Sequence, residues 1–191
     1  MSLKWWQLAW WLPTRWRVDN DYYATDPKCV LDLLRVEEFC GTMLEPCCWE
    51  WHISKVLEDK WYNVASFDLI DRWYWTGWVD FLKDSFWVVD NIITNPPFSL
   101  FKEFLERSLW IAEYKVCFFG KIQALEWQKR ASYLEYTPLK YVYVYKKRQR
   151  VLRNWKEIDP NTGKKMASST MAFCWYVWEI WYTGSPMIKW I

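Results

Sequence analysis

The sequence predicts an α/β domain in which a mostly parallel sheet is covered by helices on both faces. Strand and helix patterns alternate through the first two thirds of the chain, an order that is typical of βαβ units. Hydrophobic residues make up 52% of the 191 residues and charged residues 25%, which is enough for a buried core and excludes a disordered chain. We expect a single domain over 1–191, with a poorly defined N-terminal segment over 1–18.

The first half of the chain supplies two predicted helices and three predicted strands. Asp26 is a suitable N-cap and Pro27 fits the first turn, so a helix is expected over 26–39. A short apolar strand follows over 42–44 and ends at 45–46. The next elements are a helix over 52–60 and strands over 62–67 and 90–94.

The second half begins with an amphipathic helix over 99–113. Its apolar face carries Phe101, Phe104, Leu105, Leu109 and Ile111. Apolar runs rich in aromatic and β-branched residues then predict strands over 115–119, 141–145 and 171–179.

Polar side chains stand at the ends of three predicted strands. Glu45 closes the first, Asp68 follows the second and Asn95 follows the third. Because ligands of open α/β sheets bind outside the carboxyl ends of parallel strands, we expect these residues to meet at one edge of the sheet.

The tetrapeptide Asn95-Pro96-Pro97-Phe98 directly follows a predicted strand. It resembles motif IV of the amino-methyltransferases that use S-adenosyl-L-methionine (SAM), among them the DNA adenine-N6 enzymes of phages. The resemblance extends over about residues 19 to 191. It implies a Rossmann-like SAM-methyltransferase fold, SAM as the cofactor and double-stranded DNA as the partner.

The residue types of this motif suit an exocyclic adenine amine. Such an amine presents two N–H donors, and the side-chain oxygen of Asn95 and the carbonyl oxygen of Pro96 can each accept one. The fixed φ angles of Pro96 and Pro97 hold the second acceptor rigid, and Phe98 can stack on the base. The amine is inaccessible inside a duplex, so the base has to be flipped out.

Residues 45–51 resemble motif I, an acidic residue followed by P-x-x-G-x-G. In the family the glycines allow the backbone to approach the cofactor beside a helix N-terminus. Here both glycine positions are Trp. The resemblance implies cofactor contacts from Glu45, Pro46, Cys47, Trp49 and Trp51.

Further cofactor contacts are implied on both sides of motif I. Asp68 follows Glu45 at the spacing of the carboxylate that binds the ribose hydroxyls, with Leu69 beside it. The segment around Asp80 resembles the one that receives the adenine amino group of SAM. Residues 21–27 resemble a motif that closes over the methionine part of SAM. These segments add Asp80, Phe81, Tyr23, Thr25 and Pro27.

The chain has nineteen Trp but only five Gly. Several Trp stand where turn chemistry requires Gly, which suggests that UGA codons read as Gly in the source have been translated as Trp. The positions that this hypothesis reassigns are Trp16, Trp49, Trp51, Trp61, Trp73, Trp75, Trp78, Trp127, Trp155 and Trp181. The alternative is a Trp-rich chain whose cofactor loop is inactive.

Basic residues follow the predicted strand over 141–145. We expect them to contact DNA phosphates, and a solvated basic turn is the alternative. The residues concerned are Lys146, Lys147, Arg148, Arg150 and Arg153.

Composition restricts the remaining classes. Six Cys without a C-x-x-C pair, together with a single His, indicate reduced thiols and no metal site. No apolar run is long enough to span a membrane, and we expect a cytoplasmic monomer. Two functional alternatives stay open: a methyltransferase for another planar amine or amide (N4-cytosine, an RNA base or protein Gln), and a catalytically inactive nucleic-acid-binding protein.

Overall fold

Seven strands and three α-helices form the part of the chain that the computed structural model describes, residues 25–49, 51–71, 76–126, 133–147, 149 and 172–191. The predicted N-terminal segment over 1–18 lies outside these residues. The helices are α1 (Pro27–Leu34), α2 (His52–Asp59) and α3 (Phe101–Ile111). The strands are β1 (Thr42–Glu45), β2 (Asn63–Ser66), β3 (Val89–Thr94), β4 (Ala112–Lys121), β5 (Leu139–Val144), β6 (Phe173–Glu179) and β7 (Met187–Trp190).

The strands form one mixed sheet in the order β2-β1-β3-β4-β6-β5-β7. Strands β2, β1, β3 and β4 pair in parallel, and β5 pairs in parallel with β7. Strand β6 is antiparallel to both of its neighbours, β4 and β5. Six of these strands therefore run in one direction and β6 runs in the other, which confirms the predicted α/β class.

Helices cover both faces of the sheet, as predicted. Apolar residues of α1 and α2 pack on one face, together with Met43 of β1 and Ile93 of β3. Apolar residues of α3 pack on the other face, together with Leu44 and Ile92. Neighbouring residues of a strand thus belong to opposite cores, as the twofold alternation of side chains in a strand requires.

Helix α1 ends at Leu34 and is therefore shorter than the predicted helix over 26–39. The backbone N–H of Glu37 donates to the Leu33 carbonyl, and the Glu37 side chain is buried. It accepts hydrogen bonds of 2.6 Å from both Lys115 Nζ and the Tyr143 hydroxyl. These contacts with residues that are distant in the sequence explain why α1 ends early.

The predicted helix over 99–113 is also shorter in the structure. A 3₁₀ turn over Phe98–Leu100 precedes α3, and Ala112 already belongs to β4, where it is in register with Val89 of β3. Strand β7 was not predicted. All four of its residues are exposed, so it lacks the alternation of buried and exposed positions that reveals a strand.

Among the described residues, the non-glycine residues with a left-handed backbone are all Trp: Trp49 (φ 47°), Trp51 (φ 56°), Trp61 (φ 66°) and Trp78 (φ 64°). A bulky residue is rarely found at such angles. All four are among the positions at which the sequence suggests Gly.

Trp61 shows the structural role of the left-handed backbone at one of these positions. Helix α2 ends in a Schellman motif, in which the N–H of Trp61 donates to the Glu58 carbonyl at 2.8 Å and the N–H of Tyr62 donates to the Leu57 carbonyl at 3.1 Å. Trp61 occupies the left-handed position of this motif, which glycine usually fills. Its side chain is 96% exposed and contributes little to the core.

We therefore expect Trp61→Gly to raise the free energy of unfolding by about 1 kcal/mol, because it removes the cost of a left-handed bulky residue. Trp110→Gly is the matched control. Trp110 is also exposed but belongs to α3, so its replacement should lower stability by up to about 1 kcal/mol. Urea unfolding of both variants measures the two changes, and equal destabilisation by both would contradict the prediction.

Candidate active site at the carboxyl edge of the sheet

The carboxyl ends of β1, β2 and β3 lie side by side, since these strands are neighbours and parallel. Backbone hydrogen bonds join the segments that follow them. The N–H of Phe67 donates to the Glu45 carbonyl, and the N–H of Cys48 donates to the Phe67 carbonyl, both at 2.9 Å. The structure thus places Glu45, Asp68 and Asn95 at one edge of the sheet.

Glu45 is buried below this edge, with 2% of its surface exposed. Its Oε2 atom accepts a hydrogen bond of 2.7 Å from the backbone N–H of Ser54 and a second from the Ser54 hydroxyl. The Ser54 hydroxyl also contacts that of Ser66. Because Ser54 lies in the first turn of α2, the Glu45 carboxyl caps this helix and ties it to β1 and β2.

The loop between β1 and α2 is held by Asp68. The backbone N–H of Trp49 donates to Asp68 Oδ2 at 2.8 Å, and that of Ile70 donates to Oδ1 at 2.9 Å. The loop then reaches Trp51, the left-handed N-cap residue of α2. This backbone path and its adjoining carboxylate suit a nucleoside cofactor, while the partly buried indoles of Trp49 and Trp51 add bulk that glycine would not.

Two side chains hold the end of β3. The Asn95 Nδ2 atom donates a hydrogen bond of 3.1 Å to the hydroxyl of Thr25, which is 3% exposed. The Cys47 Sγ atom lies 2.8 Å from the Thr94 hydroxyl and donates to the Asn95 carbonyl at 3.5 Å. Burial raises the pKa of the Cys47 thiol well above its ordinary value, so it stays neutral and acts as a contact between the two loops.

Phe98 lies at the entrance to α3, where the N–H of Leu100 donates to the Pro97 carbonyl at 2.9 Å. The ring of Phe98 lies 6.1 Å from that of Phe173, and the Lys121 Nζ atom lies 4.1 Å from the Phe98 ring centroid. Pro96 is buried and Pro97 is partly buried.

The sequence did not identify Lys121 and Phe173 as neighbours of Phe98. Lys121 ends β4 two residues beyond the predicted end of that strand, and Phe173 begins β6. Only the antiparallel pairing of β6 with β4, in which Lys121 and Phe173 are in register, brings the two residues together.

The segment that contains Asp80 is joined to the site through the backbone, since the N–H of Val79 donates to the Asp68 carbonyl at 3.1 Å. The Asp80 carboxylate accepts hydrogen bonds from Lys83 Nζ at 2.8 Å and from the backbone N–H of Leu82 at 3.0 Å, and the Lys83 contact lowers its pKa. Phe81 is 2% exposed and belongs to the core, whereas Leu69 is exposed.

Lys146 and Lys147 follow β5 and are exposed. Because β5 runs in the same direction as β4, they lie along the same edge of the sheet as Lys121. Tyr23, Arg148, Arg150 and Arg153 lie outside the described residues. Pro27 is the first residue of α1, one residue after the N-cap Asp26.

The described ranges contain no cluster of His, Cys, Asp and Glu that could bind a metal ion. Their helices are too short or too polar to cross a bilayer.

Glu45 predicts a pH dependence of stability. Burial raises its pKa from an ordinary value of 4.5 to about 8. Between these values the folded protein holds a proton that the unfolded chain has released, so the free energy of unfolding should fall as the pH rises from about 5 to 8.

Glu45→Gln cannot ionise, so this variant should lose less stability over that interval than the parent. Glu135→Gln, at an exposed position, is the control and should follow the parent. Urea unfolding across the interval measures the three slopes, and an unchanged slope in Glu45→Gln would refute the assignment.

The sequence matches no protein-family model and no curated protein. Solved structures are similar to the fold. TrmN from Thermus thermophilus has a TM-score of 0.55 and 16% identity, over 80% of this chain and 48% of that chain, so this chain spans about half the length of that protein.

Precorrin-6y C5,15-methyltransferase from Geobacter metallireducens has a TM-score of 0.52 and 12% identity, over 84% of this chain and 97% of that chain. A dimethyladenosine transferase from Plasmodium falciparum has a TM-score of 0.54 and 10% identity, over 83% of this chain and 62% of that chain. With the observed strand order, these similarities show that the chain has the Rossmann-like fold of SAM-dependent methyltransferases.

Proposed function

We propose that this protein transfers a methyl group from SAM to the exocyclic N6 amine of adenine in double-stranded DNA. The observation that carries the proposal is the position of Asn95-Pro96-Pro97-Phe98. This segment follows β3 at the carboxyl edge of the sheet, and Cys47 joins its first residue to the loop after β1. The segment proposed to bind the target therefore contacts the loop proposed to bind the cofactor.

SAM would supply a methyl group that is activated by its bond to a positively charged sulfur. The backbone of residues 45–51 would hold the cofactor beside the N-terminus of α2. Asp68 would accept hydrogen bonds from the ribose hydroxyls, since each of its oxygens has acceptor capacity beyond one backbone N–H. Further contacts are proposed for Tyr23, Pro27, Leu69, Asp80 and Phe81.

The residues after β3 would orient the adenine. The Asn95 side-chain oxygen and the Pro96 carbonyl accept the two N–H donors of the amine, and Phe98 stacks on the ring. The amine nitrogen would take the methyl group as the carbon–sulfur bond breaks, the sulfur would leave as a neutral thioether, and the methylated amine would release one proton to water. The side chains contribute by orientation and hydrogen bonding, so no protein nucleophile is required.

DNA binding is proposed for the basic residues along the same edge. Lys146 and Lys147 are exposed after β5, and Lys121 lies beside Phe98. Their charge suits the phosphates on either side of a flipped nucleotide. Arg148, Arg150 and Arg153 continue this basic segment in the sequence. We propose that the protein acts on DNA as a monomer.

The second candidate is methyl transfer to another planar amine or amide. The same two acceptors and aromatic ring suit N4 of cytosine, an RNA base or a Gln side chain. The first residue of the motif favours adenine, because N4-cytosine enzymes more often carry Ser or Asp there. Parallel assays with these substrates would separate the candidates.

Cofactor binding is the first prediction of this proposal. The variant with both Trp49→Gly and Trp51→Gly should bind SAM more tightly than the parent chain, because the loop loses two indoles while keeping its backbone path. Titration calorimetry measures both dissociation constants. The pair Trp110→Phe and Trp190→Phe, exposed on α3 and β7, is the control for general loss of indoles. Absence of SAM binding by the double glycine variant would refute the enzyme proposal.

Methyl transfer is the second prediction. In the variant that binds SAM, Asn95→Ala should reduce kcat on adenine-containing duplexes by about a hundredfold or more, since it removes an acceptor for the reacting amine. SAM affinity should change little. The exposed Asn63→Ala, on β2, is the matched control. Labelled-methyl incorporation measures the rates, and a rate unchanged in Asn95→Ala would remove this residue from the mechanism.

A further inference from the structure

We infer that Thr25 positions the target amine by fixing the orientation of the Asn95 side chain, an inference that rests on the proposed function. The resemblance to the methyltransferases implies a cofactor contact for Thr25. In the structure its hydroxyl instead accepts the hydrogen bond of 3.1 Å from Asn95 Nδ2. Thr25 is therefore a positioning residue that acts through Asn95.

The orientation of an amide decides what it can recognise. A side-chain amide has a donor end and an acceptor end, and only the acceptor end can receive an amine N–H. Thr25 holds the donor end of Asn95, so rotation of the amide by half a turn would break this bond. The acceptor end is thereby kept for the face of Asn95 that does not contact Thr25.

Thr25 is itself held in place. It directly precedes Asp26, whose side chain caps α1 by accepting from the N–H of Lys28 at 2.8 Å. The first turn of α1 is fixed in turn by Trp175, whose Nε1 atom donates to the Cys29 carbonyl at 2.9 Å. Only 3% of the surface of Thr25 is exposed, so packing restricts the side chain that contacts Asn95.

The experiment compares Thr25→Val, which removes the hydroxyl at nearly constant shape, with Thr25→Ser, which retains it. Both are made in the full chain that carries Trp49→Gly and Trp51→Gly. Thr25→Val should lower kcat by about tenfold to a hundredfold, with SAM affinity changed less than about threefold. Thr25→Ser should restore most of kcat. Thr137→Val is the control, because it removes a hydroxyl that donates to the Leu134 carbonyl, accepts from Trp178 Nε1 and lies outside the site.

A readout that is independent of activity separates this inference from the proposed function. Hydrogen exchange of the Asn95 side-chain NH₂ group, followed by NMR, should be faster in Thr25→Val than in the parent and slow again in Thr25→Ser. If the parent transfers no methyl group but exchange follows this pattern, the proposed function fails and the contact stands. Weaker SAM binding with unchanged kcat in Thr25→Val, or unchanged exchange, would overturn the positioning role.

A second inference rests on the backbone conformation of four Trp residues and does not depend on the proposed reaction. We infer that positions 49, 51, 61 and 78 are glycine in the protein that the source organism makes. Every described non-glycine residue with a left-handed backbone is a Trp at one of these positions. Trp175 and Trp178, by contrast, are fully buried in β6 and have the extended backbone of a strand.

A shared codon explains why one residue type occupies all four positions. If the source reads UGA as Gly, translation with a code that reads UGA as Trp replaces these glycines and leaves the glycines of other codons unchanged. Trp181 is described and has no left-handed backbone, so its conformation gives no reason to expect Gly there.

The coding DNA tests this inference directly. We expect UGA at the codons for 49, 51, 61 and 78, and UGG at the codons for 175 and 178. Peptide mass spectrometry of the protein from its own host should find Gly at the first four positions. UGG codons at 49 and 51, or Trp in those native peptides, would overturn the inference.

Discussion

The buried carboxyl group of Glu45 is the contact on which the arrangement of the site depends. It joins the end of β1 to the first turn of α2, and through Ser54 it reaches Ser66 at the end of β2. A polar group without partners would be costly at this depth, so the three elements have to remain together. The described part of the loop, residues 46–49, is joined to the edge of the sheet by the hydrogen bond from the Cys48 N–H to the Phe67 carbonyl.

Short side chains extend this constraint to Asn95. Cys47 extends from the loop to Thr94 and the Asn95 carbonyl, while Thr25 contacts the Asn95 amide from the direction of α1. Asn95 is thus held by two segments that are distant from each other in the sequence. In the proposed reaction, such support would keep the reacting groups in a productive geometry more reliably than a loop that is held only at its own ends.

Local patterns in the sequence were sufficient for most strands and for the edge where Glu45, Asp68 and Asn95 meet, because strands that are covered on both faces form short apolar runs that end at polar residues. They were insufficient where distant partners decide the structure. Helix α1 ends early because Glu37 binds residues of β4 and β5. Phe173 reaches Phe98 only through the antiparallel insertion of β6, which no local pattern specifies.

The position of β6 also constrains how the chain folds during its synthesis. Strands β4 and β5 are separated by β6, which is the last of the three to leave the ribosome. Until residues 173–179 emerge, β4 and β5 present unpaired edges and the aromatic core between the helices and the sheet stays incomplete. Such edges promote association between nascent chains. Completion of this sheet is therefore a late event in biogenesis, and slow translation of the last quarter of the chain would prolong the exposure of aggregation-prone strands.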